Sequence, residues 1–302
     1  MTAAGVLVAR TAESQWQAAA TEHRNRIDDL LRGHPPRYTD GEAGDVVHPV
    51  WGFMFTYYSF RPAQLRRWHP GFGVGLDGGG ARRYLDYAGY VRSGELVTVG
   101  RDHLEKRRET IAYIIDLLAA TADRSPRLNC FGMHEWAMVY QASPEQIRHA
   151  GVPLRLSPAQ TDDVVRAQPP RCTHFDAYRF FTPPARPLNL TVLNRHTQPE
   201  FEQPGCLHAG MDLYKWSYKL APLLPSNIVA DAFALSLQHR EIDMRASPYD
   251  LSAFGMAPIP IEEPAGRAEY VRVQSELAGR AQLLRTELLE RCRRLIGQHN
   301  HS

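Results

Sequence analysis

The richest run of chemistry-bearing residues is Gly205-Cys206-Leu207-His208-Ala209-Gly210-Met211-Asp212-Leu213-Tyr214-Lys215-Trp216-Ser217-Tyr218-Lys219-Leu220. On a helix, His208, Asp212, Lys215 and Lys219 fall at i, i+4, i+7 and i+11, one continuous stripe. An aspartate can hold a base or orient a water, and a histidine can bind metal or shuttle a proton. A lysine can form a Schiff base or hold a phosphate. A solvated helix face with i,i+4 ion pairs is the plain alternative. The chain has 35 Lys and Arg together, and only Lys106, Lys215 and Lys219 are lysines. Two of the three lie in this segment, which hints that an ammonium is wanted there.

Three further groups carry chemistry. In Thr173-His174-Phe175-Asp176-Ala177-Tyr178-Arg179-Phe180-Phe181 a strand would put His174, Asp176 and Tyr178 on one face, as a pocket wall or as a wetted sheet face. His134-Glu135 lacks the second histidine of the zinc-protease helix, because Met138 stands in its place. A histidine bonded to a buried neighbour is the simpler reading of that pair. Arg61-Pro62-Ala63-Gln64-Leu65-Arg66-Arg67-Trp68 can grip phosphates with Arg61, Arg66 and Arg67 and stack a base on Trp68, or be an ordinary basic helix. No Gly-Lys-Ser/Thr phosphate loop occurs, and Gly71-Phe72-Gly73-Val74-Gly75 lacks the strand–helix context of a dinucleotide fingerprint.

The elements that must position these groups are mostly helical. Helices are expected over 11–32, over 102–123 with Asp102 as N-cap, over 210–220, over 226–245 and, longest, over 266–297. Residues 129–141 fit helical spacing, and Ser143-Pro144 and Ser157-Pro158 mark further helix starts. Residues 37–47 read as a loop. Val50 to Phe60 alternates like a strand but suits a buried helix too. One or two short strands are expected around Ser93-Gly94, and two more over 171–195, separated by Pro183-Pro184. Six glycines and one proline make 69–80 irregular. The expected fold is α+β, predominantly helical, a single compact domain over 1–302 with a small sheet and a disordered tail at 298–302.

Composition bounds the function. The 302 residues are 43% hydrophobic and 23% charged, which excludes whole-chain disorder. No apolar run reaches 18 residues, so no membrane partner is expected, and the N-terminus is a poor signal peptide. Cys130, Cys172, Cys206 and Cys292 stand too far apart for a zinc knuckle or a disulfide framework. A cytoplasmic protein with reduced thiols follows. A net charge of +2 is not that of an obligate nucleic-acid binder, though it leaves room for a local basic patch.

Phe55-Thr56-Tyr57-Tyr58, Arg61 through Gly71, His134-Glu135-Trp136-Ala137-Met138-Val139-Tyr140 and Asp243-Met244-Arg245-Ala246-Ser247-Pro248-Tyr249-Asp250-Leu251 resemble an actinobacterial family commonly labelled 3-methyladenine DNA glycosylase. The likeness extends over most of the chain. It implies an N-glycosylase that removes alkylated purines from duplex DNA without a cofactor. Such an enzyme needs an aromatic pocket for the flipped base, a carboxylate to activate water, and a phosphate grip. Asp212 would be that carboxylate, with His208 assisting and Asp176 or Glu135 as alternatives. Lys215 and Lys219 would meet negative charge, and His174, Asp176 and Tyr178 would line the opposite wall. The stacking candidates are Trp51, Tyr57, Tyr58, Trp68, Trp136 and Trp216. The hairpin of helix-hairpin-helix glycosylases has only a partial echo in Pro70-Gly71-Phe72-Gly73, with Asp86 loosely spaced behind it.

The alternative is a small-molecule enzyme of the non-haem iron oxygenase kind, with iron, manganese or zinc held by His208, Asp212, His174, Asp176, His134 and Glu135. His208-x3-Asp212 is similar to the last ligand helix of haem-oxygenase-like di-iron oxidases, with Lys215 where a third ligand would stand. A non-catalytic binding protein is the third option.

Overall fold

The computed structural model describes residues 9–40, 44–147 and 151–297. The expected tail at 298–302 lies outside them. The N-terminal third is a small sheet with one long helix laid against it. Strand β1 (Ala9–Thr11) leads into helix α1 (Glu13–Gly33), which buries Trp16, His23, Ile27 and Leu31 along one side. The 37–47 segment, expected as a loop, forms a hairpin of β2 (Arg37–Asp40) and β3 (Gly44–Val47). The short helices α2 (Phe53–Thr56) and α3 (Pro62–Leu65) follow. Within 50–60 helix wins over strand: Phe53 stacks on Tyr57, one turn on, at 4.9 Å and 8°.

Strand β4 (Val74–Leu76) pairs parallel with β1 and antiparallel with β6 (Leu96–Val99), whose other edge carries β5 (Tyr90–Ser93). The expected hairpin at Ser93-Gly94 is this β5–β6 pair. Gly94 takes φ 61° at the first turn position, which favours glycine.

The remainder is helical. The 102–123 segment forms two helices, α4 (Arg101–Lys106) and α5 (Arg108–Ala122), with the break at Arg107; Gly100, not Asp102, is the N-cap of the first. Then come α6 (Met133–Ala137), α7 (Pro158–Ala167), α8 (Phe175–Tyr178) and α9 (Gln198–Phe201). The core is α10 (Leu207–Lys219), α11 (Ser226–Arg245) and α12 (Pro264–Gly297). Ser157 caps α7 through its hydroxyl, as its Ser-Pro start suggests. In α12 the buried Leu277, Ala281, Leu284, Leu288, Cys292 and Leu295 make a stripe of three- and four-residue steps against α5, α10 and α11. All of α10 from Leu207 to Ser217 is buried, so it is a central helix.

The two strands expected over 171–195 do not form. The Asn189 amide takes the place of a ladder: its Oδ1 accepts from Cys172 N–H (2.8 Å) and its Nδ2 donates to Cys172 C=O (3.1 Å). Pro183, Pro184 and Pro187 lack the N–H groups that strand pairing requires. The result is a mostly helical α+β fold with a small mixed sheet. All four cysteines are unbridged. Among the described residues no helix is long and apolar enough to cross a membrane.

Candidate metal centre and cavity

Three elements meet to build the site. Phe131 and Gly132 both take left-handed backbone, φ 49° and 70°, which turns the chain abruptly into α6. Trp136 Nε1 donates to Ala246 C=O at 2.9 Å and ties α6 to the end of α11. Helix α10 lies close against α11 because position 210 has no side chain: a Cβ on Gly210 would lie 2.3 Å from His239 Nε2. This approach brings His208 of α10 to Asp243 of α11.

His134, His208 and Asp243 each offer a ligand-type atom, and the three atoms lie within 4.8 Å of one another, all buried. His134 Nε2 and Asp243 Oδ1 are 2.8 Å apart. The two face each other as an ion pair, and neither atom has a further hydrogen-bond partner. Two donors about 2.0–2.2 Å from one metal sit about 3 Å apart at a right angle, so this spacing suits ligands of a shared ion. The rings of His134 and His208 meet edge to face at 4.3 Å. Burial drives His208 well below its ordinary pKa, and His134 reinforces this. On Asp243 burial opposes charge, but His134 and Arg240 outweigh it and hold the carboxyl low. Burial also favours neutral His134, yet the Asp243 charge raises that ring well above its usual range. Arg240 Nη1 bridges Asp243 Oδ2 (2.9 Å) and Glu135 Oε1 (3.1 Å), fixing both carboxylates.

The second half of the site starts one turn along α10. Asp212 Oδ2 accepts from His174 Nε2 at 3.1 Å and from Lys215 Nζ, and Tyr58 OH reaches Oδ1 at 3.3 Å. Lys215 also contacts Asp176 Oδ2 at 3.2 Å, and Arg195 and Arg179 reach Asp176 Oδ1 at 3.0 and 3.1 Å. Glu202 Oε2 lies 3.7 Å from His174 Nε2. The His174 and His208 rings stack at 5.3 Å and join the halves. Burial raises the carboxyl of Asp212, but Lys215 and His174 reverse that and leave it far below its ordinary value. Lys215 is held up by Asp212 against its own burial, so it stays an ammonium.

Both halves adjoin a cavity of about 660 Å³, a size that suits a small organic molecule. His208, Glu135, Asp176 and Arg240 supply its polar wall. Tyr38, Phe53, Tyr57, Met138, Val152 and Phe180 supply most of the apolar one, with β2–β3 residues at one side.

The sequence-derived candidates thus divide. His134, Glu135, His174, Asp176, His208, Asp212 and Lys215 come together. Tyr178 does not join them: α8 is a helical turn rather than a strand, so alternate residues share no face, and Tyr178 packs on Phe181 at 5.2 Å. Lys219 is exposed at the end of α10, its ammonium 5.4 Å from the Trp216 ring centroid. The basic segment lies apart from the cavity wall. Arg66 pairs with Asp28 at 2.6 Å, Arg67 covers the Tyr87 ring at 4.5 Å, Arg61 is exposed, and Trp68 packs on the core. Of the six stacking candidates, Tyr57 lines the cavity. The site residues that sequence reasoning missed are Asp243, Arg240 and Glu202, and Tyr58, expected to stack a base, instead donates to Asp212. Asp243 and Arg240 had a signal: charges three residues apart, in helical step with the apolar Phe233 and Leu237 of the same helix.

Comparison with known proteins gives no matching family model, no matching curated protein and no matching solved structure. The functional reading therefore rests on the site itself.

Proposed function

We propose that this chain is a metal-dependent enzyme of the non-haem iron type acting on a small molecule in the cavity, with His134, His208 and Asp243 as protein ligands. One observation carries the reading. Three buried ligand-type atoms, on His134, His208 and Asp243, lie within 4.8 Å of one another, His134 Nε2 and Asp243 Oδ1 only 2.8 Å apart, with His208 on the cavity wall. Two imidazoles and a carboxylate with open positions are the donor set of iron oxygenases; manganese and zinc accept it too. A divalent ion held there would supply Lewis acidity or redox chemistry at the cavity floor. The chain's own groups orient the substrate. Glu135, fixed by Arg240, and Asp176, fixed by Lys215 and Arg195, present carboxylates to a polar group of the bound molecule, and the aromatic wall excludes water from the rest.

The first test is the metal content of purified protein washed without chelator. About one equivalent per chain is expected, falling to none in His208→Ala and Asp243→Asn. Metal-free protein at both steps overturns the reading.

A base-excision enzyme is the second reading, favoured by aromatic side chains and two carboxylates sharing one cavity. In that reading Asp176 or Glu135 faces a flipped purine, and Asp212 and His208 support it. Release of free base from methylated duplex DNA by metal-free protein, abolished in Asp176→Asn, would select it.

A further inference from the structure

We propose that Lys215 is the resident cation of the second half of the site: its ammonium takes the position a second divalent metal would occupy, so the centre works with one metal and one ammonium. The inference rests on the metal-enzyme reading for its first ion, but it is carried by different atoms. His174, Asp212, Glu202 and Asp176 have side chains 0%, 1%, 2% and 7% exposed. An imidazole and three carboxylates gathered at such depth are the donors of a divalent-metal site, and such acidic groups need a cation among them. Arg195 and Arg179 reach only Asp176. The ammonium of Lys215 touches both Asp212 and Asp176, and it lies 4.4 Å from the centroid of the Trp216 ring.

The choice of residue agrees with the geometry. This chain uses arginine nearly everywhere. A guanidinium is planar and broad, whereas an ammonium is a compact point charge that fits a metal-sized position. Among the described residues, one group of His and carboxylate atoms converges within 4.8 Å, and it is His134, His208 and Asp243. In the second half Asp212 and Asp176 close on the Lys215 ammonium, His174 bonds to Asp212 in turn, and Glu202 stands beyond it, 3.7 Å from His174. The stacked His174 and His208 rings place this fixed charge next to the first site.

The test is a metal count on the full chain. Protein is loaded with Mn²⁺, freed of excess ion, and studied by mass spectrometry and electron paramagnetic resonance. The wild type is expected to hold one Mn²⁺ with the spectrum of an isolated ion. Lys215→Met, which keeps length and removes charge, is expected to hold two, with a spectrum broadened by exchange coupling. Should Lys215→Met not fold, Lys215→Gln carries the same count. Two ions in the wild type, or one ion in a folded Lys215 variant, overturns the assignment while leaving the His134–His208–Asp243 site intact. No ion in the wild type and one in the Lys215 variant would do the reverse: it sinks that first site and supports the ammonium.

Discussion

Helix α10 serves two neighbouring polar clusters that balance charge in opposite ways. Around Asp212 the balance is internal: Lys215, His174 and Tyr58 contact the carboxylate. Around His208 no cation stands among the donors: His134, His208 and Asp243 offer atoms within 4.8 Å of one another, and Arg240 takes the other oxygen of Asp243. The sides are one helical turn apart on the same helix, share stacked imidazoles, and are equally buried. Depth therefore does not separate them; the placement of the cation does, for Lys215 stands between Asp212 and Asp176 whereas Arg240 takes Oδ2 of Asp243 and leaves Oδ1 to His134. A buried acidic cluster with an ammonium among its donors is finished on folding, whereas one whose donor atoms still converge on a shared point is a place for an ion from solution.

The largest expected effect breaks the finished side. Asp212→Ala leaves Lys215 with Asp176 alone and takes the acceptor from His174 and Tyr58. The loss of a buried partner of this kind costs about 3–5 kcal/mol. Urea denaturation should show that loss with and without added metal. A loss that disappears when metal is supplied would show that both halves depend on an outside ion, and the contrast between them would fail.

The incomplete side should respond to metal itself. Ligand that binds only the folded state stabilises it by about 2.7 kcal/mol at a hundredfold excess over Kd. Added Fe²⁺ under anaerobic conditions, or Mn²⁺, should therefore raise the melting temperature of the wild type. Asp243→Asn preserves shape and should remove the rise. Equal shifts in wild type and variant would place the ion elsewhere.

A histidine outside both clusters provides a control whose contribution, like that of a carboxyl held low, is lost on acidification, but in a higher pH window. His69 is buried, its Nδ1 3.0 Å from Tyr90 OH. Burial, with Arg67 and His23 adding repulsion, lowers its pKa to about 4. The unfolded ring takes up its proton near pH 6.5 and the folded ring only near pH 4. The unfolded state thus binds more protons in between: the contribution is complete above pH 6.5 and is lost as pH falls toward 4. From pH 6.5 to 5 that is about 2 kcal/mol. His69→Gln should flatten the slope of stability against pH by one proton, measured on metal-free protein. An unchanged slope would mean that His69 is already protonated in the fold.

Legibility in the sequence follows the range of the interactions. The long helices 226–245 and 266–297 are readable because their signals are local: apolar steps of three and four, with prolines outside or at their ends. The segment 171–195 departs from expectation because its alternation is real but its strand partner is not; one asparagine amide, 17 residues from Cys172, decides its path. At the site, the stripe of His208, Asp212 and Lys215 is visible as a pattern, but its division between two clusters is not. The division depends on what α6, α8 and α11 bring to each side of α10, and on Gly210 allowing α11 close. Asp243 does not stand out as a ligand, since no short spacing connects it with His134 across about a hundred residues.

The smallest expected effect concerns the basic segment. Arg66 and Asp28 pair at 2.6 Å with side chains 37% and 38% exposed. Water screens such a pair and side-chain entropy opposes it, so Arg66→Ala should cost about 0.2–1 kcal/mol. The informative part is what else changes. Arg61, Arg66 and Arg67 supply none of the cavity wall. In a small-molecule enzyme the triple alanine variant should keep the wild-type metal content and turnover within about twofold. In a DNA enzyme the same three arginines would neutralise phosphates, and the slope of log affinity against log salt should fall by about 0.9 for each phosphate no longer neutralised. A filter-binding series on duplex DNA across salt, run beside the metal count, therefore separates the two functions that the same cavity walls could serve. A flat difference between wild type and triple variant assigns those arginines to the surface, whereas a change of about two or more in slope gives the base-excision reading the phosphate grip it requires.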